Sequence, residues 1–382
     1  MKTHRTIWTP ATGWNPPLET LPASLDLVLY FGGSGALRAE EGPLAELLRL
    51  APAPIIAGCG SAGAVLDSAI HDEALVVVGL SFDSATVRAA AGQLARLEES
   101  EALGEDLGRR LAGPGLRHVL VLSDGVLVNG SRLAGGLRRA LPPEVTVTGG
   151  LAGDGTRFQR TEVGLGADVG SGRVVAIGFY GASLRVDFGV GGGWTPFGPL
   201  REVTRSAGPV VWTLDDESAL SLYRRYLGER ADELPGAGLL FPLEILSGDS
   251  RSSGLIRTLV GINQTEESVT FAGDLPQGAR VRFMRATRDA LINGAESGLD
   301  EIRAGSANAA GATLALVVSC VGRRAVLGQR CEEELERARE ALPPGSLMTG
   351  FYSYGEVAPA GELIPCELHN QTLVLTLIGE SA

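Results

Sequence analysis

The chain has 382 residues, 44% of them hydrophobic, with a formal net charge of -12 and a sequence pI near 5.0, enough for a soluble globular protein of about two domains. The acidic balance excludes a polyanion partner: the basic residues, nearly all arginine, are scattered among acids rather than gathered into a stripe, so no nucleic acid is expected. The N terminus has no apolar signal core, and no apolar run approaches the roughly 18 residues of a membrane span, so no membrane insertion and a cytoplasmic location are expected.

In chain order, LDLVLYF (25–31) reads as a strand, and Leu44, Leu47, Leu48 and Ala51 then recur at helical spacing. PIIAGCGSAG follows. Gly58-Cys59-Gly60-Ser61-Ala62-Gly63 fits the glycine fingerprint of a dinucleotide-binding turn, with Asp83 twenty residues on. That reading requires a helix after Gly63, and the stretch Ala64–Glu73 suits a hairpin as well.

The same order recurs twice. HVLVLSDG opens residues 118–155, followed by a stripe of Leu133, Leu137, Ala140 and Leu141, a proline pair, and the turn TGGLAGDG with Gly149, Gly150 and Asp154. TLALVVSC opens residues 313–356, with Leu335, Ala338 and Leu342, another proline pair, and the turn GFYSYGE holding Phe351, Tyr352, Tyr354 and Glu356. Each copy has the size of a strand-helix-strand crossover. Only one of the three turns fits the dinucleotide pattern, so the glycines that all three share are better read as serving positive φ or close backbone approach. After each turn comes a polar stretch and a strongly apolar strand, which predicts a long hairpin. The fold expected is α/β, with repeated strand-helix-strand units and long hairpins forming mixed sheets in two related halves. The break is placed near TLDDESALSLYRRYL (213–227), where Asp215 or Asp216 is expected to cap a new helix.

These segments carry a family resemblance. GCGSAG, TGGLAGDG with Phe158, Thr161 and Val163 after it, GGGWTPFGPLREVTRS, LIRTLVGIN, FAGDLPQGARVRFMRATRDALINGA and GFYSYGEVAP with CELHNQT, in that order, resemble the FIST (F-box and intracellular signal transduction) family over about residues 25–379. The resemblance implies an N-terminal extension (1–24), a FIST N-terminal domain (25–215) and a FIST C-terminal domain (216–382). It also implies a sensory protein that binds a small ligand, an amino acid among the candidates, and signals through a partner such as a histidine kinase. Some members are similar to haem-binding nitric oxide sensors. Where the family commonly has an acid after the first turn this chain has Ala64, while Asp154 and Glu356 keep an acid in the other two.

The residues themselves suggest where a ligand sits. Gly58, Gly149 and Gly150 can present amides; Phe351, Tyr352 and Tyr354 form an aromatic cluster in a chain only 5% aromatic. Trp194 stands beside three glycines as a candidate wall, Asp154 and Glu356 offer carboxylates, and Arg257 and Asn263 interrupt an apolar strand. No cofactor and no metal are expected. If haem binds, His369 is the best axial ligand of the four histidines, since His4 lies in an expected flexible start, His71 at a hairpin tip and His118 at a strand's surface edge. Catalysis finds no G-x-S-x-G, P-loop or H-E-x-x-H. Cys59 or Ser61 as a nucleophile, with His369 as base, is the enzyme alternative. The four cysteines show neither disulfide nor zinc spacing.

Overall fold

Apolar runs rich in leucine and valine build the centre of the molecule, because strands covered on both faces need no polar alternation. The computed structural model describes residues 1–38, 42–51, 53–246, 252–306, 314–360 and 364–381. Strand Leu27–Gly32 lies parallel to Ile55–Gly60, with helix Pro43–Leu50 between them. Leu116–Ser123 likewise pairs with Thr146–Leu151 across helix Gly130–Ala140, which opens on Asn129, whose side chain accepts the Arg132 amide. Leu314–Cys320 pairs with Leu347–Ser353 across helices Val321–Leu327 and Cys331–Ala341. Leu47, then Leu133 and Leu137, then Leu335 and Ala338 are buried, so the helical stripes read from the sequence do face the core.

Each crossover leads into a hairpin and then a strand that returns antiparallel to its first strand: Leu75–Ser81, Arg173–Tyr180 and Leu373–Glu380. The expected hairpins are present, but none joins its own sheet. The first (Ala64–Leu66, Ala69–His71) pairs with Leu347–Ser353 of the third unit, the second (Val163–Leu165, Asp168–Gly170) with Ile55–Gly60 of the first, and the third (Gly355–Ala360, Ile364–His369) with Thr146–Leu151 of the second. The strand after each unit is also exchanged, Thr86–Gln93 onto the second unit and Leu184–Gly191 onto the third, while Lys2–Thr9 takes the corresponding place on the first. The result is a three-membered cycle, with two units in the first half of the chain and one in the second.

Hydrogen bonds at the centre follow the same cycle. Ala62 N donates to Tyr352 O at 2.9 Å, Gly153 N to Gly60 O at 3.0 Å, and Tyr354 N to Leu151 O at 3.0 Å, each at the matching position of its unit. The shared glycine has one physical reason in all three copies. A Cβ on Gly58, Gly149 or Gly350 would stand 2.1, 1.9 or 1.7 Å from the carbonyl oxygen of Tyr30, Val121 or Val317 on the adjacent parallel strand, and φ is +140° and +153° at the latter two.

Between Leu184–Gly191 and helix Arg288–Ser306 an antiparallel insertion runs from Thr195 to Arg285 and packs Val203, Leu220, Tyr223, Phe271 and Phe283 into a core of its own. Its helix Ala219–Leu227 is capped by Ser218, which accepts the Ser221 amide, and not by an aspartate. Asp215 and Asp216 instead take positive φ in a turn, where Asp215 accepts from the Glu202 amide. Three histidines also differ from expectation. His71 ends the second strand of the first hairpin, opposite Ala64, and is not at its tip. His4 sits on a paired strand opposite Gly79 rather than in a flexible start. His118 is fully buried rather than at an edge, because Thr146 and Thr148 on the neighbouring strand bond its two ring nitrogens at 2.9 and 3.1 Å.

Candidate functional site

The carboxyl ends of parallel strands present loops and free amides, the usual place for ligands in α/β folds. Here they surround a cleft of about 810 Å³, which we term the unit cleft. Gly33, Ser34 and Gly35 follow the first strand of unit one and Ser61 its second strand; Asp154 and Arg157 come from unit two, Arg324 from unit three, and Asp72 and Glu73 from the end of the first hairpin. The charges are set by contacts between units. Arg324 spans from unit three to unit one, donating to Asp72 at 2.6 and 3.0 Å and to Ala62 O at 2.5 Å, with its guanidinium over the Tyr352 ring at 5.4 Å. The Asp72 hydrogen bond raises its already high pKa.

Asp154 is 1% exposed and accepts from the amides of Phe158, Gln159 and Arg160 at 2.9, 3.2 and 3.0 Å and from the Tyr354 hydroxyl. Desolvation pushes its pKa up, but the Tyr354 hydroxyl and the three amides together outweigh that and hold the carboxyl below its ordinary value. Arg157 bonds Ser34 Oγ at 2.8 Å. The Ser61 hydroxyl accepts the Gly63 amide at 2.9 Å. Its proton and the Glu73 carboxylate have no partner among the described residues.

A second cleft of about 680 Å³, the insertion cleft, lies between the insertion and unit three. Phe188, Trp194, Ile256, Met284 and Pro359 form walls, and His369 and Glu244 also line it. Burial and then the Arg257 guanidinium push the His369 pKa down to about 4, against the pull of the Ala358 and Pro359 carbonyls. Neither ring nitrogen has a hydrogen bond of acceptable geometry.

Of the residues singled out from sequence, the structure brings Ser61 and Asp154 to one cleft and Trp194 and His369 to the other. Ser61 and His369 therefore line different clefts and do not form a nucleophile–base pair. Cys59 is fully buried, and burial pushes its thiol pKa far up, the opposite of an activated nucleophile. All four cysteines are free and buried. The turn after Gly63 enters a strand, so GCGSAG lacks the helix N terminus that a pyrophosphate needs. Gly58, Gly149 and Gly150 lie within strands. Phe351 stacks on Phe31 at 5.0 Å between ring centres, and Tyr352 is fully buried; they are core, and the ring of Tyr354 stacks on Phe158 while its hydroxyl holds Asp154.

Glu356 is fully buried and bonded by Ser353 and Thr372, and desolvation raises its pKa to about 7. It is not the counterpart of Asp154. Ladder pairing sets Glu356 level with Ala64 and Val163, whereas Asp154 begins a loop, 154–161, peculiar to unit two. Arg257 joins the insertion to the third hairpin, donating to Leu368 O at 3.0 Å and Asp274 O at 3.1 Å. Asn263 is exposed and accepts the Thr265 and Glu266 amides in a hairpin turn. Arg324, Asp72, Ser34 and Arg157 were missed; the Arg323-Arg324 pair directly after the third apolar strand was the available signal.

His369 offers haem an axial nitrogen, but no lysine or arginine is among the described lining residues to meet the propionates, and the Glu244 carboxylate stands there instead. The described lining does not fit the whole group. Among the described residues no cluster of three or more His, Cys, Asp or Glu side chains could hold a metal ion, and no helix is long and apolar enough to cross a membrane.

An α/β cycle of crossover units whose loops surround a ligand-sized cleft is a common setting for a small-molecule site. Residues 26–217 match the FIST N domain and residues 219–359 the FIST C domain, so the chain belongs to the FIST family of signal-transduction domains. No curated protein matches it.

Proposed function

We propose that this protein is a cytoplasmic sensor that binds a small zwitterionic molecule, an amino acid being the simplest, in the unit cleft and passes the signal to a separate protein such as a histidine kinase. One observation carries the reading: all three units contribute walls, and the walls bring cationic Arg157 and Arg324 together with anionic Asp72, Glu73 and Asp154. A ligand bearing both signs can meet Glu73, which has no partner among the described residues, and exchange with the Arg324–Asp72 pair, and because these contacts fall on different units, occupancy biases how the units sit against one another. That is the differential contact a signalling change requires.

The test is a thermal-shift screen of the amino acids on the full chain. A ligand at about 100 times its Kd adds roughly 2.7 kcal/mol of stability. A Cβ on Gly35 meets nothing within 4 Å, so Gly35→Leu is expected to fold normally, obstruct the cleft and abolish the shift. No stabilising amino acid, or a shift that survives Gly35→Leu, refutes the reading.

A further inference from the structure

A cleft selects its ligand by what its walls leave unsatisfied. In the insertion cleft nearly every polar side chain is already bonded within the protein. Trp194 Nε1 donates to Gln371 O at 3.0 Å, Thr372 Oγ1 to Glu356 at 2.8 Å, Ser252 to Glu244, and Ser253 to Ile245 O; Glu244 also accepts from Arg282 at 2.7 Å. His369 is the exception. It is 3% exposed and lines the cleft, but both ring nitrogens are covered and face the Ala358 and Pro359 carbonyls with no hydrogen bond of acceptable geometry. A neutral imidazole has one donor and one acceptor, and leaving both unmet in a buried place is costly. The remaining walls are the side chains of Phe188, Val190, Trp194, Ile256, Met284 and Pro359.

We propose that the insertion cleft is a second ligand site, separate from the unit cleft, and that it takes an uncharged, mainly apolar small molecule with one hydrogen-bonding group, such as a phenol or aryl ketone, which His369 meets by turning its covered ring toward the cleft. An anion is disfavoured because no lysine or arginine stands among the described lining residues. A cation is disfavoured because Glu244 is already neutralised by Arg282. The volume of about 680 Å³ falls in the range of ordinary small-molecule sites. Since the walls come from the insertion on one side and unit three on the other, a ligand here ties the two together.

The experiment uses Nile red, an uncharged aromatic ketone that brightens on leaving water, titrated against the full chain, with anilinonaphthalene sulfonate as the anionic comparison. Saturable Nile red binding is expected, with much weaker binding of the sulfonate. A Cβ on Gly192 meets nothing within 4 Å, so Gly192→Leu is expected to keep the melting temperature and weaken Nile red about tenfold or more, equivalent to about 1.4 kcal/mol. His369→Phe substitutes a somewhat larger planar ring that cannot hydrogen-bond, weakening the dye roughly threefold to tenfold. Gly35→Leu, in the unit cleft, leaves dye binding unchanged, so this proposal and the amino-acid reading fail separately. Absent saturable binding, binding indifferent to Gly192→Leu, or equal affinity for the sulfonate overturns the proposal.

Discussion

The unit cleft and the insertion cleft are of similar size but are assembled on opposite principles. In the first, charged side chains reach between units: Arg324 of unit three pairs with Asp72 of unit one, and Arg157 of unit two donates to Ser34 of unit one while its ion-pair partner Asp154 lies in its own unit. In the second, polar groups are consumed locally and one histidine is left over. The contrast teaches that a cleft's chemistry lies in its unsatisfied groups more than in the residue types lining it, for both contain serines and carboxylates. Pairing between units makes the first responsive to unit arrangement, whereas the second depends on a buried framework behind its wall.

That framework gives the largest expected effect. Arg323, fully buried, donates to Glu334 at 2.7 Å and to the carbonyls of Gly192, Gln371 and Leu291, and so holds the loop that carries Gly192 and Trp194. Arg323→Met leaves Glu334 as an unpaired buried carboxylate and should cost about 3–5 kcal/mol in urea denaturation. A loss below about 1 kcal/mol would show that the insertion cleft does not rest on this pair.

A smaller effect separates the two carboxylates that look alike in sequence. The folded protein keeps the Glu356 proton up to about pH 7, whereas the unfolded chain releases it near 4.5, so this group makes stability fall as pH rises through that window. His369 and His118, with pKa values lowered from 6.5 to about 4 and about 3, act in the other direction. The unfolded chain takes up protons below pH 6.5 that the fold refuses, and stability is lost as pH falls. Glu356→Gln removes only the first effect. Stability should then climb more steeply between pH 4.5 and 7 than in the wild type, by on the order of 2 kcal/mol across the window. Parallel profiles from urea titrations would show that Glu356 does not hold its proton.

Tyr354→Phe sharpens the comparison from the unit cleft. It removes the hydroxyl that bonds Asp154 and accepts the Asp154 and Phe158 amides, at roughly 1–2 kcal/mol. Because one of the bonds that depress the Asp154 pKa is lost, the acid limb of the stability curve should move to higher pH. Amino-acid binding should weaken while Nile red binding stays the same; weakening of both would mean that the clefts are not independent. The smallest effect belongs to Asn263, whose turn is exposed and lines neither cleft: Asn263→Ala should change stability by no more than about 0.5 kcal/mol and leave both ligands unaffected, as isothermal titration would show.

Much of the fold was legible because its signals are local. The strands, helix stripes, hairpins and shared glycines of three copies can be read from spacing within about forty residues each. Which sheet a hairpin joins is not a local property, and nothing in AVLDSAIH points to a partner strand near Thr349. The same limit misplaced Asp154 and Glu356, since the extra loop of unit two shifts the alignment of the turns. It also hid the burial of His118, whose two threonine partners belong to the next parallel strand. Phe351 and Tyr352 were read as a pocket because aromatics are scarce here, yet a scarce large ring fills a core as well as it lines a cleft.

The exchange of hairpins also sets a schedule for making the protein. Thr349 Oγ1 donates to Val65 O at 3.0 Å across 284 residues of chain, so the first hairpin emerges from the ribosome long before its partner strand exists. At 5–20 residues per second that wait is roughly 15–60 s. Throughout it, an apolar edge stands unpaired, the condition under which nascent strands find wrong partners. The cycle thus closes only when its last unit arrives.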